Sequence, residues 1–182
     1  MDYTSIKLGR ITAICGPLCS GKSTLCQKIA KDPSIATISV SKIVAAACGQ
    51  TEPSRKQLQA TADLVDDICI QLDQEITDAL VNHKHVIIDG IRQPEIIEYL
   101  ISLYGLSNVT ILWIDPGKTE RELRWRTRAA KKDALLCFDE IDRQDYELGL
   151  SSIREWVATL SNNFKATSEL FRPIDIDLTT TA

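Results

Sequence analysis

Residues 10–24 read RITAICGPLCSGKST: an apolar run, then two glycines, a lysine and two hydroxyls. The run Gly16-Pro17-Leu18-Cys19-Ser20-Gly21-Lys22-Ser23 fits G-x-x-x-x-G-K-[ST] in full. Each part has a physical task. The glycines let the backbone curl until its N–H groups converge on phosphate oxygens. The following helix presents the positive end of its dipole. Lys22 is placed for the β- and γ-phosphates, Ser23 for Mg²⁺ and Thr24 for the α-phosphate. The context agrees, since RITAIC (10–15) reads as a buried strand and KSTLCQKIAK (22–31) as the helix after it. Residues 16–24 therefore read as a cradle for the phosphates of ATP.

Composition narrows the class. The chain has 182 residues, enough for a single domain with a real core. A net charge of −4 gives no global attraction to nucleic acid or anionic membrane. No apolar run has the length of a membrane span. The opening MDYTSIKLGR lacks the apolar core of a signal peptide, so a cytoplasmic protein without a membrane partner is expected. The six cysteines form no C-x-x-C pair and read as buried thiols packed as small hydrophobes. Cys19, inside the loop, is the exception, an oxidisable thiol.

Strands and helices alternate along the rest. IATISV (35–40) reads as a second strand after Pro33. From Arg55 to Leu80 the apolar positions advance by threes and fours, one face of a long helix started by Pro53-Ser54. HVIID (85–89) and VTILWID (109–115) read as strands, and PEIIEYLISLY (94–104) as a helix with proline in its first turn. KTERELRWRTRAAKK (118–132) and FDEIDRQDYELG (138–149), the latter closed by Gly149, read as helices. Residues 151–160 read as a further helix and RPIDIDL (172–178) as a terminal fifth strand. His83 and His85 flank the third strand and read as loop residues. Such alternation predicts an α/β fold with a parallel sheet covered on both faces. The loops after Cys15, Val40, Asp89 and Asp115 then converge at the carboxyl ends of the strands, where ligands bind.

VIIDGIR (86–92) is the second informative stretch. An acid at a strand's carboxyl end beside a phosphate loop holds Mg²⁺ or accepts a proton, and Asp89 is that acid. Gly90 permits close approach, and Arg92 can meet an anionic acceptor.

The loop together with DGIR resembles the small P-loop nucleotide kinases: the adenylate kinase-like and deoxynucleoside monophosphate kinase-like enzymes, with dephospho-coenzyme A kinase nearby. Adenylate kinases carry D-G-[FY]-P-R. Asp89-Gly90-Ile91-Arg92 is one residue shorter, as in archaeal and phage relatives. ISVSKIVAAACGQTEPSRKQLQATADL (38–64) resembles the acceptor-binding segment of that group, and ERELRWRTRAAKKD with FDEIDRQDYELG resembles its lid. The resemblance reaches to about Gly149. It implies a three-layer P-loop kinase fold with five parallel strands and a short helical lid. Its single domain spans 1–182, with an acceptor segment at about 41–81 and a lid at about 118–148. It also implies ATP and Mg²⁺ as cofactors, Ser23 and Asp89 at the metal, and Ser41, Lys42, Arg55, Gln59 and Arg92 at the acceptor. Adenylate kinases use an arginine in the short helix after the second strand. This chain has SKIVAAA there, with Lys42 its one cation.

Between 121 and 132 the sequence crowds Arg121, Arg124, Arg126, Arg128, Lys131 and Lys132. Phosphoryl transfer spreads charge over the moving oxygens, and arginines closing over it stabilise that charge. Arg126 and Arg128 are the candidates for this role beside Lys22 and Asp89, with Arg124 and Arg143 as further lid residues. Arg121 and Lys131 read instead as a solvated face paired with Glu120 and Glu122. Trp125 either stacks on a base or packs half-buried.

These observations predict an ATP- and Mg²⁺-dependent phosphotransferase acting on a nucleotide-type acceptor. A (deoxy)nucleoside monophosphate kinase leads. The close rival resembles the phage kinases that phosphorylate the hydroxymethyl group of 5-hydroxymethyluracil in DNA, which makes DNA a possible partner. A dephospho-coenzyme A-type acceptor and a non-catalytic ATP-binding regulator are the other readings.

Overall fold

The computed structural model describes residues 10–47, 64–132 and 137–163, apart from the side chains of 128–132 and 160–163. Four strands form one sheet in the order β2-β3-β1-β4, with every neighbouring pair parallel. They are β1 (Ile11–Cys15), β2 (Ile35–Ser39), β3 (His85–Asp89) and β4 (Val109–Trp113). Strands β1 and β4 are buried along their whole length, which is why they read as continuous apolar runs rather than as alternating ones. The expected sheet had five strands. Among the described residues it has four, and 172–178 lies outside them.

The side-chain alternation of β1 sorts the core into two layers. Ile11, Ala13 and Cys15 face a large cluster with apolar residues of α2 (Val40–Ala47), α3 (Val65–Asn82) and α4 (Pro94–Tyr104). Helix α7 (Ser151–Asn163) adds Ile153 and Val157 to the same cluster. Ile14 faces the other side, where α1 (Lys22–Ile29) brings Leu25 and Cys26 against Ile87 and Leu112. Helices thus cover both faces, as expected for a parallel sheet.

Two helices stand apart from these layers: α5 (Lys118–Lys132) and α6 (Phe138–Asp145). They form a third cluster of Trp125, Phe138 and Ile141, and the loop residue Leu18 is buried within it. The sequence predicts one helix over 138–149. The structure ends α6 at Asp145 and follows it with a wide turn over Tyr146–Leu150, where Gly149 has φ 129°. The long helix is described from Val65 rather than Arg55, because 48–63 lies outside the described residues.

Strand register sets the rim on which a site can form. Asp89 pairs with Ile14 on one side and Ser39 on the other, and Cys15 pairs with Trp113. The carboxyl ends of all four strands are therefore level, and the segments after Cys15, Ser39, Asp89 and Trp113 meet at one edge. No described helix is long and apolar enough to cross a membrane.

Candidate active site

The phosphate loop begins where β1 runs into β4's neighbourhood. A Cβ at Gly16 would lie 2.1 Å from the Ile114 carbonyl oxygen and 3.2 Å from Ser20 Oγ, and its φ is 145°, so both space and backbone require glycine. Gly21 (φ 102°) precedes α1 and provides no side-chain cap, so the first N–H groups of the helix are left for an outside acceptor. Cys19 also holds positive φ, 58°. Lys22 Nζ donates to Gly16 O (2.7 Å), Pro17 O (2.8 Å) and Ser20 Oγ (3.2 Å), bridging both ends of the loop. Burial, and then the charge of Arg92, lower the Lys22 pKa to about 8 against the opposing pull of Asp89 and Asp145. Thr24 is exposed on α1.

Asp89 closes the second side. Ser23 Oγ donates to its Oδ2 at 2.8 Å, joining residues 66 positions apart. Asp89 Oδ1 is buried without a hydrogen-bond partner among the described residues. A buried carboxylate oxygen left this way is costly unless a cation or donor completes it. The Ser23 hydroxyl and Asp89 carboxylate are hard oxygen donors suited to Mg²⁺, which is held by one or two protein groups together with phosphate oxygens and water. Among the described residues there is no cluster of three or more carboxylate, histidine or cysteine ligands. Ser23 and Asp89 would therefore hold Mg²⁺ with the nucleotide's own oxygens, and the ion would supply charge neutralisation at the transferred phosphate.

Beside Asp89 a small cleft is lined by Val40, Ser41 and Val44 of α2, by Gly90, Arg92 and Gln93 after β3, and by Leu148. This is where the sequence places an acceptor, and Ser41 and Arg92 do line it. The Ser41 and Ser39 hydroxyls lie 2.9 Å apart. Lys42 is exposed and is not among the lining residues. Arg55 and Gln59 lie outside the described residues. Arg92 Nε pairs with Asp145 Oδ1 at 3.3 Å, so the end of α6 reaches the cleft.

The arginines of α5 divide differently from the sequence reading. Arg121, expected on a solvated face, is 3 % exposed and its guanidinium is the centre of a buried network. It pairs with both carboxylate oxygens of Asp142, with Asp115 Oδ1 at 3.2 Å, and approaches the Leu18 carbonyl at 3.4 Å. It also lies 5.6 Å over the Phe138 ring. Burial opposes its charge, but Asp142 and Asp115 outweigh burial and hold its pKa above the ordinary value. The reason for the difference is periodicity: Arg121 lies one turn before Trp125, and Asp142 and Asp145 share the stripe of Phe138 and Ile141. Carboxylates on an apolar stripe are the signal that was there to be read.

Arg124 also turns inward, donating to Ser20 O in the loop at 3.2 Å and to Glu120 at 2.9 Å. Arg126 is 74 % exposed and pairs with Glu122, and Arg143 is exposed and pairs with Glu147. Of the expected lid arginines, the structure thus brings Arg124 to the loop and leaves Arg126 and Arg143 on the outer faces. Arg128 is in α5, its side chain outside the described set. Trp125 is 4 % exposed with its ring 6.4 Å from that of Phe138, so it is packed in the core and is no platform for a base. Cys15, Cys26 and Cys69 are buried as expected, while Cys137 is exposed.

A level strand rim, a complete phosphate loop and a facing acid define a P-loop kinase-like α/β domain. Residues 11–148 match the family model described as AAA domain, and the chain belongs to that family. Solved structures share the fold, two of them as follows. One is the Pnkp1/Rnl/Hen1 RNA repair complex, with 14 % identity, a TM-score of 0.57, 84 % of this chain and 48 % of that chain covered. This chain thus spans about half the length of the matched chain. The other is deoxyadenosine kinase from M. mycoides with products dCMP and a flexible dCDP bound, with 15 % identity, a TM-score of 0.52, and 91 % and 90 % of the two chains covered. No curated protein sequence matches this chain.

Proposed function

We propose that this chain is an ATP- and Mg²⁺-dependent phosphotransferase whose acceptor is a nucleotide, foremost a (deoxy)nucleoside monophosphate. The observation that carries the reading is the 2.8 Å hydrogen bond from Ser23 to Asp89, with the second Asp89 oxygen buried and without a hydrogen-bond partner among the described residues, beside a cleft that Arg92 lines. Gly16 to Thr24 hold the donor phosphates, and Lys22 and Arg124 stabilise charge on the transferred group. The bond to Ser23 supports a place for Asp89 on the metal side rather than in proton removal.

A phosphate acceptor is already ionised and needs no base, whereas a hydroxyl acceptor benefits from one. The described residues lining the cleft include an arginine and no carboxylate, which favours the phosphate acceptor. Trp125 is buried and offers no face for stacking on a base, which weighs against the DNA reading. The deoxyadenosine kinase structure, which shares the fold, has the nucleotide products dCMP and dCDP bound, and this supports a nucleotide-type ligand in the present site.

The test is γ-phosphoryl transfer from ATP in Mg²⁺ to a panel of deoxynucleoside monophosphates, dephospho-coenzyme A, and DNA with and without hydroxymethyluracil. Diphosphate formation is expected. Transfer to DNA alone would sink the mononucleotide reading, and tight ATP binding with transfer to nothing would make the chain a regulator.

A further inference from the structure

Helix α6 carries two carboxylates three positions apart, Asp142 and Asp145, which are 7 % and 1 % exposed. They engage arginines from opposite halves of the site. Asp142 holds Arg121, whose guanidinium approaches the Leu18 carbonyl in the phosphate loop. Asp145 holds Arg92, which lines the acceptor cleft. Burying such a pair is seldom the most stable way to fill that space, because both charges lose water. A role in placing a charge explains it better than packing does.

The geometry of the Arg92 pair supports this. Asp145 meets Nε, one edge of the guanidinium, at 3.3 Å. The remaining donors of an arginine are on its two terminal nitrogens, the fork that grips phosphate in a bidentate manner. A separate observation seats the same segment on the same stretch of chain. A Cβ at Gly149 would lie 2.3 Å from Pro94 Cδ and 3.1 Å from the Arg92 carbonyl oxygen. The turn after α6 is thus pressed against the backbone of Arg92 while Asp145 holds its side chain.

We infer that Asp145 is a positioning residue: it fixes the Arg92 guanidinium so that its terminal nitrogens take the phosphate of the acceptor nucleotide. The inference rests on the phosphotransferase reading above and assigns acceptor affinity to a residue outside the cleft lining. Asp142 and Arg121 have the corresponding place on the donor side.

The experiment is a binding titration of the full chain with dAMP, dCMP, dGMP and dTMP, and separately with Mg²⁺ and a hydrolysis-resistant ATP analogue. Asp145→Asn is expected to weaken mononucleotide binding by about tenfold or more, the scale of one lost charge-assisted contact. Binding of the ATP analogue should weaken clearly less than mononucleotide binding, because Asp145 acts on Lys22 of the donor loop through its charge but contacts Arg92 directly. Arg92→Gln should do the same, and the double variant should bind no worse than Arg92→Gln alone. A merely structural strut predicts otherwise: equal weakening of both ligands, weakening of neither, or an effect added to that of Arg92→Gln, each of which overturns the inference. Should Asp145→Asn not fold, Asp145→Glu keeps the charge and shifts it by one methylene, and it is read against the same outcomes. A wild-type chain that binds the ATP analogue and none of the four mononucleotides overturns the acceptor reading and this inference with it. A wild-type chain that binds both, with a selective effect absent in Asp145→Asn, overturns the inference alone.

Discussion

The proposed donor and acceptor edges share one rim of the sheet but are built in opposite ways. The donor edge is one contiguous stretch, residues 16–24, whose shape follows from glycines at positive φ and a lysine bonded to the loop's own carbonyls. The acceptor edge is assembled from three distant stretches: α2, the segment after β3, and the turn after α6. Local backbone geometry fixes the first, and long-range packing fixes the second. The donor edge should therefore fail through residues inside the loop, and the acceptor edge through residues far from it.

Replacing Lys22 by Ala is the most damaging way to test this contrast. It should cut transfer on the order of 1000-fold, because a preorganised charge at the transferred phosphate is lost, while the melting temperature barely moves. Steady-state kinetics beside a thermal melt checks both halves of the statement. Trp125→Ala is the next largest, and it probes a place where the donor loop does depend on distant packing, since Leu18 is buried against Trp125, Phe138 and Ile141. Truncating a buried tryptophan costs about 3–5 kcal/mol, measurable by denaturant unfolding. Loosened support for the loop should also raise the KM for ATP.

Gly149→Ala sharpens the contrast from the acceptor side. The added methyl meets the Pro94 ring and the Arg92 carbonyl, and overpacking of this kind costs about 1–3 kcal/mol. The KM for the acceptor should rise more than that for ATP; an equal rise would dissolve the distinction between the edges. Arg126→Ala marks the small end. An exposed i,i+4 pair with Glu122 is worth about 0.5 kcal/mol or less, so stability and transfer should stay near wild type, with Arg124→Ala clearly the more harmful of the two.

The same contrast explains what the sequence made legible. The loop, the helix after it and Asp89 at a strand end are local patterns, and the structure places them as read, with Ser23 on Asp89. The alternation of strands and helices was legible because each buried strand is a short apolar run. The pairing of Arg92 with Asp145 was not, because it joins residues 53 positions apart, and nothing in DGIR or RQDYELG names the other. Arg121 was misread for a related reason. Its charge suggested solvent, whereas Asp142 on α6 and Asp115 in the loop after β4 bring it inside. The wide turn at Gly149 likewise answers to Pro94, a neighbour in space and not in sequence.

The central claim is that the Ser23–Asp89 contact marks the metal side of a phosphoryl-transfer site. Its most direct test is transfer from γ-labelled ATP to deoxynucleoside monophosphates by wild type and by Asp89→Asn, with Mg²⁺ and with chelator. The expected result is Mg²⁺-dependent diphosphate formation that falls by about 10–100-fold in Asp89→Asn, the usual cost of a lost partner at a metal site. Undiminished transfer by Asp89→Asn, or transfer that persists in chelator, would contradict the account.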